Sequence, residues 1–351
     1  MECYDLQADW SENKMSQSEV EQLYTLLDET TTILRSALAS SYLDAFIENV
    51  DNIIDDGQVQ VEDGQPTEAV VKQLQEKYAA INFSKVSPED VRTVIQLSMI
   101  KAIKEDSIQS NHQMTPDTIG FLMSFLLERV TKLSDEFTIL DPSVGTANLL
   151  TTVINHLQAE TKQKATGYGI DNDDSMLAVA SINVALQKLP ITLYHQDAVD
   201  SLDIPLVDMV VSDLPVGYYP LDDNTKNYET RADKGHSYVH HLLIEQSINY
   251  LKPGGFGVFL IPSSLFQTEE SKQFVEWINR HAHMQGLINL PDELFTTKQG
   301  QKSILLLQRR GPESKQAKQI LLGTFPSFKN KPELAKFMRE IDKWVASNLA
   351  E

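Results

Sequence analysis

From residue 137 onward the chain alternates short apolar runs with helical segments, and an acid stands at or just past the end of each of the first three runs. That texture restricts the fold more than any other feature. Runs at 137–141, 165–171, 191–195, 207–212, 257–261, 286–290 and 303–308 predict seven strands, mostly parallel, with helices on both faces of the sheet. The last two are joined without a long helix, so the seventh is expected to insert antiparallel beside the sixth.

The acids fall where such sheets bind ligands, at the carboxyl ends of strands. Ile139-Leu140-Asp141-Pro142-Ser143-Val144-Gly145-Thr146-Ala147-Asn148 reads as a strand, a tight turn and a helix start. Gly145 allows close approach of a ligand to backbone, and the helix start offers N–H donors. Asp141 accepts hydrogen bonds only, which suits an ammonium better than a pyrophosphate. Asp171, followed by Asn172, ends the second run and suits a pair of ribose hydroxyls. Asp197, followed by Ala198, follows the third and suits an adenine amino group. The Gly-x-Gly-x-x-Gly fingerprint of dinucleotide enzymes is absent, which argues against an oxidoreductase.

Residues 16–106 lack this alternation. Val20, Leu23, Leu27 and Leu34 recur at helical spacing, and Ser87-Pro88-Glu89-Asp90 has the pattern of a capped helix start. The expected organisation is a helical N-terminal domain at 1–108, an α/β domain at 109–325, and a C-terminal helix at 326–351 whose stripe Leu334, Phe337, Met338, Ile341, Trp344 and Val345 packs on the body.

The formal charge of −20 is unevenly spread. Residues 1–110 hold 21 acids and 8 bases, whereas 296–340 hold 10 bases and 3 acids. An acidic chain is poorly suited to gripping a phosphate backbone alone, so any nucleic-acid binding is expected to be weak. The single cysteine, Cys3, excludes an internal disulfide, and no Cys/His set has metal-ligand spacing. No apolar stretch is long enough for a membrane helix and no signal-like segment leads the chain, so a cytoplasmic protein is expected.

Four separated motifs resemble those of the adenine-specific (N-6) DNA methyltransferases. The likeness is to the modification subunit of type I restriction systems, and closest to the YtxK-like bacterial subgroup. Asp141-Pro142-Ser143-Val144-Gly145-Thr146-Ala147-Asn148 resembles the family's Asp-Pro-x-x-Gly-Thr-Gly motif, with Ala147 replacing a glycine. Gln113-Met114-Thr115-Pro116 resembles its Gln-x-x-Thr-Pro signature, shortened by one. The stretches 260–266 and 288–291 also match. Asp213-Leu214-Pro215-Val216 stands where the family has Asn/Asp/Ser-Pro-Pro and an aromatic residue.

The resemblance implies a class I methyltransferase (Rossmann-like) fold and S-adenosylmethionine as cofactor, with Thr115 and Pro116 near its methionine end. It also implies catalysis by the 213–215 turn. There a side-chain oxygen of Asp213 and the Leu214 carbonyl accept the hydrogens of an amine while it attacks the methyl group. Val216 lacks the ring that would stack on a flipped base, and Tyr218 or Tyr219 is the expected substitute. The leading expectation is a methyltransferase acting on an amino group of adenine type, in DNA. The alternatives are a cofactor-binding sensor or interaction subunit with a degenerate loop, and a modification subunit served by a separate specificity protein. The loop at 214–237 is long enough to act as an acceptor lid. His240 and His241 read as ordinary helix residues.

Overall fold

The computed structural model describes residues 17–107, 114–268, 270–295, 297 and 300–349; Cys3, Gln113 and the 108/109 boundary lie outside them. In chain order the elements are α1 (Gln17–Leu38), α2 (Tyr42–Ile54), α3 (Glu68–Tyr78), α4 (Pro88–Asp106), α5 (Asp117–Val130), β1 (Glu136–Asp141), α6 (Asn148–Thr161), β2 (Lys164–Asp171), α7 (Asp174–Gln187), β3 (Ile191–His195) and β4 (Val207–Asp213). There follow α8 (Val239–Tyr250), β5 (Leu251–Pro262), α9 (Ser271–His281), β6 (Ala282–Asn289), β7 (Lys302–Arg309), β8 (Leu321–Thr324) and α10 (Lys331–Asn348). They fall into two compact units: residues 1–114, 145–151 and 173–189, and residues 115–144, 152–172 and 190–351.

The first unit is helical. Ser41 and Ser87 cap α2 and α4 by accepting from the backbone N–H of Asp44 and Asp90, and Pro88 occupies the first turn of α4. Its core buries Leu27, Leu34, Tyr42, Phe46, Val50, Leu74, Val91 and Met99, joined by Met176, Val179 and Ile182 of α7. One polar residue within it is fully served. Asn49 donates to the hydroxyls of Thr30 (3.0 Å) and Thr31 (3.1 Å) and accepts from Tyr78 (2.8 Å), so its burial leaves no orphaned amide.

The second unit is built on a sheet of eight strands in the order β3-β2-β1-β4-β5-β7-β6-β8, one more than the sequence predicts. The added strand, β8, is four residues at the sheet edge, mostly exposed, and pairs parallel with β6. So short an element has no apolar periodicity to reveal it. β7 does insert antiparallel, lying between β5 and β6. The remaining pairings are parallel, so both faces must be covered; Leu140, Ile170, Val210, Phe259 and Leu305 lie in the core on this sheet.

The order β3-β2-β1-β4 reverses direction at β1, which opens a crevice at the carboxyl ends of β1 and β4. The turn after β1 is held down on β2 by a bond from Val144 N–H to the Ile170 carbonyl (2.9 Å). Gly169 makes this approach feasible, because a Cβ there would stand 2.8 Å from the Val144 side chain. Among the described residues no helix is long and apolar enough to cross a membrane.

Candidate active site

Asp141 closes β1 and is 1% exposed. Its Oδ1 accepts from Ser143 N–H (3.1 Å) and from the Ser212 hydroxyl (2.6 Å). Burial pushes the carboxyl up to about 7, against the lowering effect of those two bonds, and the charges of Asp171 and Asp213 add to the rise. Among the described residues no cationic side chain pairs with it.

Asp213 closes β4 in register with Leu260 of β5. Ser143 links it to Asp141: the Ser143 hydroxyl lies 2.7 Å from that of Ser212 and donates to the Asp213 carbonyl (3.2 Å). The Asp213 carboxylate has different company. Oδ2 accepts from the Thr115 hydroxyl (2.9 Å), and Oδ1 is ion-paired with Lys302, the first residue of β7. Thr115 therefore does not cap α5; Pro116 holds the cap position, its carbonyl accepting from Ile119 and Gly120.

The third and fourth acids differ from one another. Asp171 closes β2 opposite His195 and is half-buried, and the Asn172 carbonyl lies 3.2 Å from His195 Nε2. Asp197 has both oxygens engaged within the protein, accepting from Val199 N–H (2.9 Å) and from the Tyr219 hydroxyl (2.7 Å), and Ala198 beside it is buried. Gly145, Thr146 and Asn148 belong to the helical unit. There Gly145 adopts φ +52°, the Thr146 carbonyl accepts from Asn183 (3.0 Å), and Asn148 accepts from Gln96 (3.0 Å). Pro142 is buried within the turn between Asp141 and Ser143.

The aromatic residues of the 214–237 loop separate clearly. Tyr219 is 5% exposed, and its hydroxyl, raised by burial and by Asp197, is occupied as a donor, so it does not present a ring. Tyr218 is 60% exposed and stacks on Tyr238 with ring centroids 4.7 Å apart. Val216 is 62% exposed, whereas Leu214 is buried and Pro215 is exposed beside it. The loop is pinned along its length: Tyr219 N–H donates to the Ser237 carbonyl, Tyr228 to the Val199 carbonyl, and the N–H groups of Glu229 and Thr230 to the Glu245 carboxylate. His240 and His241 are buried in α8 and held neutral, their ring pKa values lowered by burial to about 4 and about 3. Among the described residues no group of side chains could hold a metal ion.

Lys302 is the residue that sequence reasoning missed. The one signal was a lysine just before the apolar run 304–307, and only the antiparallel register of β7, with Lys302 opposite Pro262, carries it to the end of β4.

Residues 21–103 match the YtxK N-terminal helical domain and residues 101–342 match the N-6 DNA Methylase family. YtxK of Bacillus subtilis (strain 168) is 38% identical over 330 residues, 94% of this chain and 98% of that protein. A Listeria monocytogenes protein assigned to the class I S-adenosylmethionine-dependent methyltransferases has a crystal structure that matches with a TM-score of 0.86 and 39% identity, covering 94% of this chain and 99% of that one. The methyltransferase subunit of a type I restriction-modification system from Streptococcus thermophilus shares the fold at a TM-score of 0.62 and 14% identity, covering 95% of this chain and 76% of that one. With a strand-end acid at its switch point and a YtxK-type helical domain before it, the chain belongs to the N-6 DNA methylase family of S-adenosylmethionine-dependent methyltransferases.

Proposed function

We propose that the chain transfers a methyl group to an amino nitrogen of adenine type, in DNA, with Asp213 and the Leu214 carbonyl as acceptors for the amine hydrogens. The carrying observation is the difference in electrostatic setting between Asp141 and Asp213. S-adenosylmethionine presents an ammonium and a sulfonium, and a fully buried acid with no cationic partner fits the ammonium. Thr115, Pro116, Pro142, Ser143, Gly145, Thr146 and Asn148 are the further residues proposed to hold the methionine part. Asp171 and Asn172 are assigned to the ribose, and Ala198 to the adenine end beside Asp197. Since the Asp197 carboxylate is already engaged by Tyr219 and Val199, its share in adenine binding runs through the remaining lone pairs.

The cofactor, when bound, supplies a methyl group on an electron-poor sulfur. The protein's part is to orient the nucleophile. An exocyclic amine is weakly nucleophilic because its lone pair is delocalised into the ring; hydrogen bonds to Asp213 and Leu214 draw its hydrogens aside and aim that lone pair. Proline at 215 keeps the turn closed, and Tyr218, exposed and backed by Tyr238, is the stacking platform that Val216 does not supply.

A second reading, a cofactor-binding sensor, is favoured by Val216. Sequence selection in DNA is assigned to a partner of the specificity-subunit type, in keeping with weak DNA binding by an acidic chain. The test is to incubate the pure protein with methyl-labelled S-adenosylmethionine and host extract, then separate DNA, RNA, protein and small molecules. Label on adenine in DNA is the expected result. Label in the protein or small-molecule fraction overturns the acceptor assignment, and cofactor binding without label in any fraction favours the sensor.

A further inference from the structure

Lys302 is a strand-end residue that brings a cation to the end of β4. It opens β7 opposite Pro262 of β5, and its ammonium meets one oxygen of Asp213 while the Thr115 hydroxyl, 2.9 Å away, meets the other. Both partners of the ion pair are largely shielded from water, with side-chain exposures of 26% for Lys302 and 19% for Asp213. At that depth an ion pair is an uneven source of stability, since the desolvation of both charges offsets most of their attraction. What it fixes without ambiguity is the local charge. Asp213 lies one serine bridge from Asp141, and its charge reaches that carboxylate.

We propose that Lys302 is a positioning residue for Asp213, one that cancels its charge toward the cofactor's sulfonium and fixes the rotamer in which its free lone pairs meet the acceptor amine. The inference rests on the proposed reading that Asp213 adjoins the cofactor's methyl end. With Lys302 present, the Asp213–Lys302 pair carries no net charge while the carboxylate still accepts hydrogen bonds, so the pair does not hold the positively charged cofactor more tightly than its neutral thioether product. Stabilising the charged ground state would raise the barrier, because the sulfonium loses its charge as the methyl leaves. Lys302 removes that penalty while leaving acceptor geometry at Asp213.

The test compares affinities for S-adenosylmethionine and S-adenosylhomocysteine by calorimetry on the full chain, because the two differ in the charge at sulfur. In Lys302→Met the unpaired carboxylate shifts the ratio toward the sulfonium compound by about ten-fold, the size expected of a charge pair in a partly screened site. Asp213→Asn leaves the lysine unpaired and shifts the ratio about ten-fold the other way. The double variant returns to the wild-type ratio, and Lys302→Arg keeps it while controlling for folding. A merely structural lysine would lower both affinities together without moving the ratio. An unmoved ratio in Lys302→Met, with a moved one in Asp213→Asn, overturns the proposal alone. Unmoved ratios in both overturn it together with the placement of Asp213.

Discussion

Asp141 and Asp213 end neighbouring strands, are joined through Ser143 and Ser212, and live in opposite electrostatic settings. The first is fully buried with hydroxyl and amide donors only; the second has a lysine and a threonine on its two oxygens. A buried carboxylate without a cation is costly to keep ionised, and a cationic ligand relieves that cost on binding. A carboxylate balanced from within has no such need, and is free to accept from a neutral amine. In the proposed reading the pair divides one crevice into a part that selects a cation and a part that selects a hydrogen-bond donor.

The most severe break of this contrast is Asp213→Ala. If the residue orients the acceptor and the cofactor is held mainly elsewhere, turnover falls by two or more orders of magnitude while S-adenosylmethionine affinity falls by only about ten-fold, the share of the unpaired Lys302. Single-turnover label transfer and calorimetry on the same variant read both quantities. Near-normal transfer would move the chemistry to another loop.

Asp141→Ala has the complementary effect, a loss of cofactor affinity of about 10- to 100-fold, since a hydrogen bond to a charged group is worth roughly 1.5–3 kcal/mol. The wild-type pH dependence sharpens the assignment. With the free carboxyl at about 7, binding an ammonium to it must expel a proton at lower pH. Affinity is therefore expected to fall by nearly ten-fold per unit below pH 7 and to level off above it, and Asp141→Asn should flatten the profile. A wild-type profile flat between pH 5.5 and 7 would mean that Asp141 is not the ammonium's partner.

Much of this division was legible in the sequence, because the acids end apolar runs, and a run of β-branched and aliphatic residues fixes where a strand stops. Asp141 and Asp171 were placed at strand ends in that way, Asp213 through its motif, and the start of α4 through its Ser-Pro-acid capping pattern. What was not legible depends on contacts across the sheet. Lys302 is 89 positions from Asp213 and reaches it by register, and Thr115 turns to the same carboxylate from 98 positions away. The choice between Tyr218 and Tyr219 was equally closed to the sequence. Adjacent residues on an extended segment point opposite ways, and only the packing shows which is buried on Asp197.

The smallest expected effect, on stability, isolates the electrostatic half of the contrast from ligand binding. The Asp141 carboxyl titrates at about 7 in the folded chain against 3.8 for an unperturbed group, so between those values the folded state binds the extra proton. Stability accordingly declines as pH rises from about 4 to 7, and the full penalty, of order 4 kcal/mol for such a shift, applies above 7. Asp141→Asn removes the charge and keeps an oxygen for Ser143 N–H and the Ser212 hydroxyl. It also introduces a buried amide N–H₂ lacking an acceptor, which costs about 1–3 kcal/mol. The charge term wins at pH 8, leaving a net gain of roughly 1–3 kcal/mol, at about 2–4 °C in Tm per kcal/mol for a domain of this size. At pH 4, where the wild-type carboxyl is protonated in the folded state and about two-fifths protonated in the unfolded one, little of the charge penalty applies, the amide cost dominates and the variant melts lower. Saturating S-adenosylmethionine reverses the order at pH 8, because the wild type gains binding energy that the variant has lost. Melting curves of both proteins at pH 4 and pH 8, with and without cofactor, check all three signs. A variant less stable than wild type at pH 8 without cofactor would show that Asp141 is not a strained charge in the free protein.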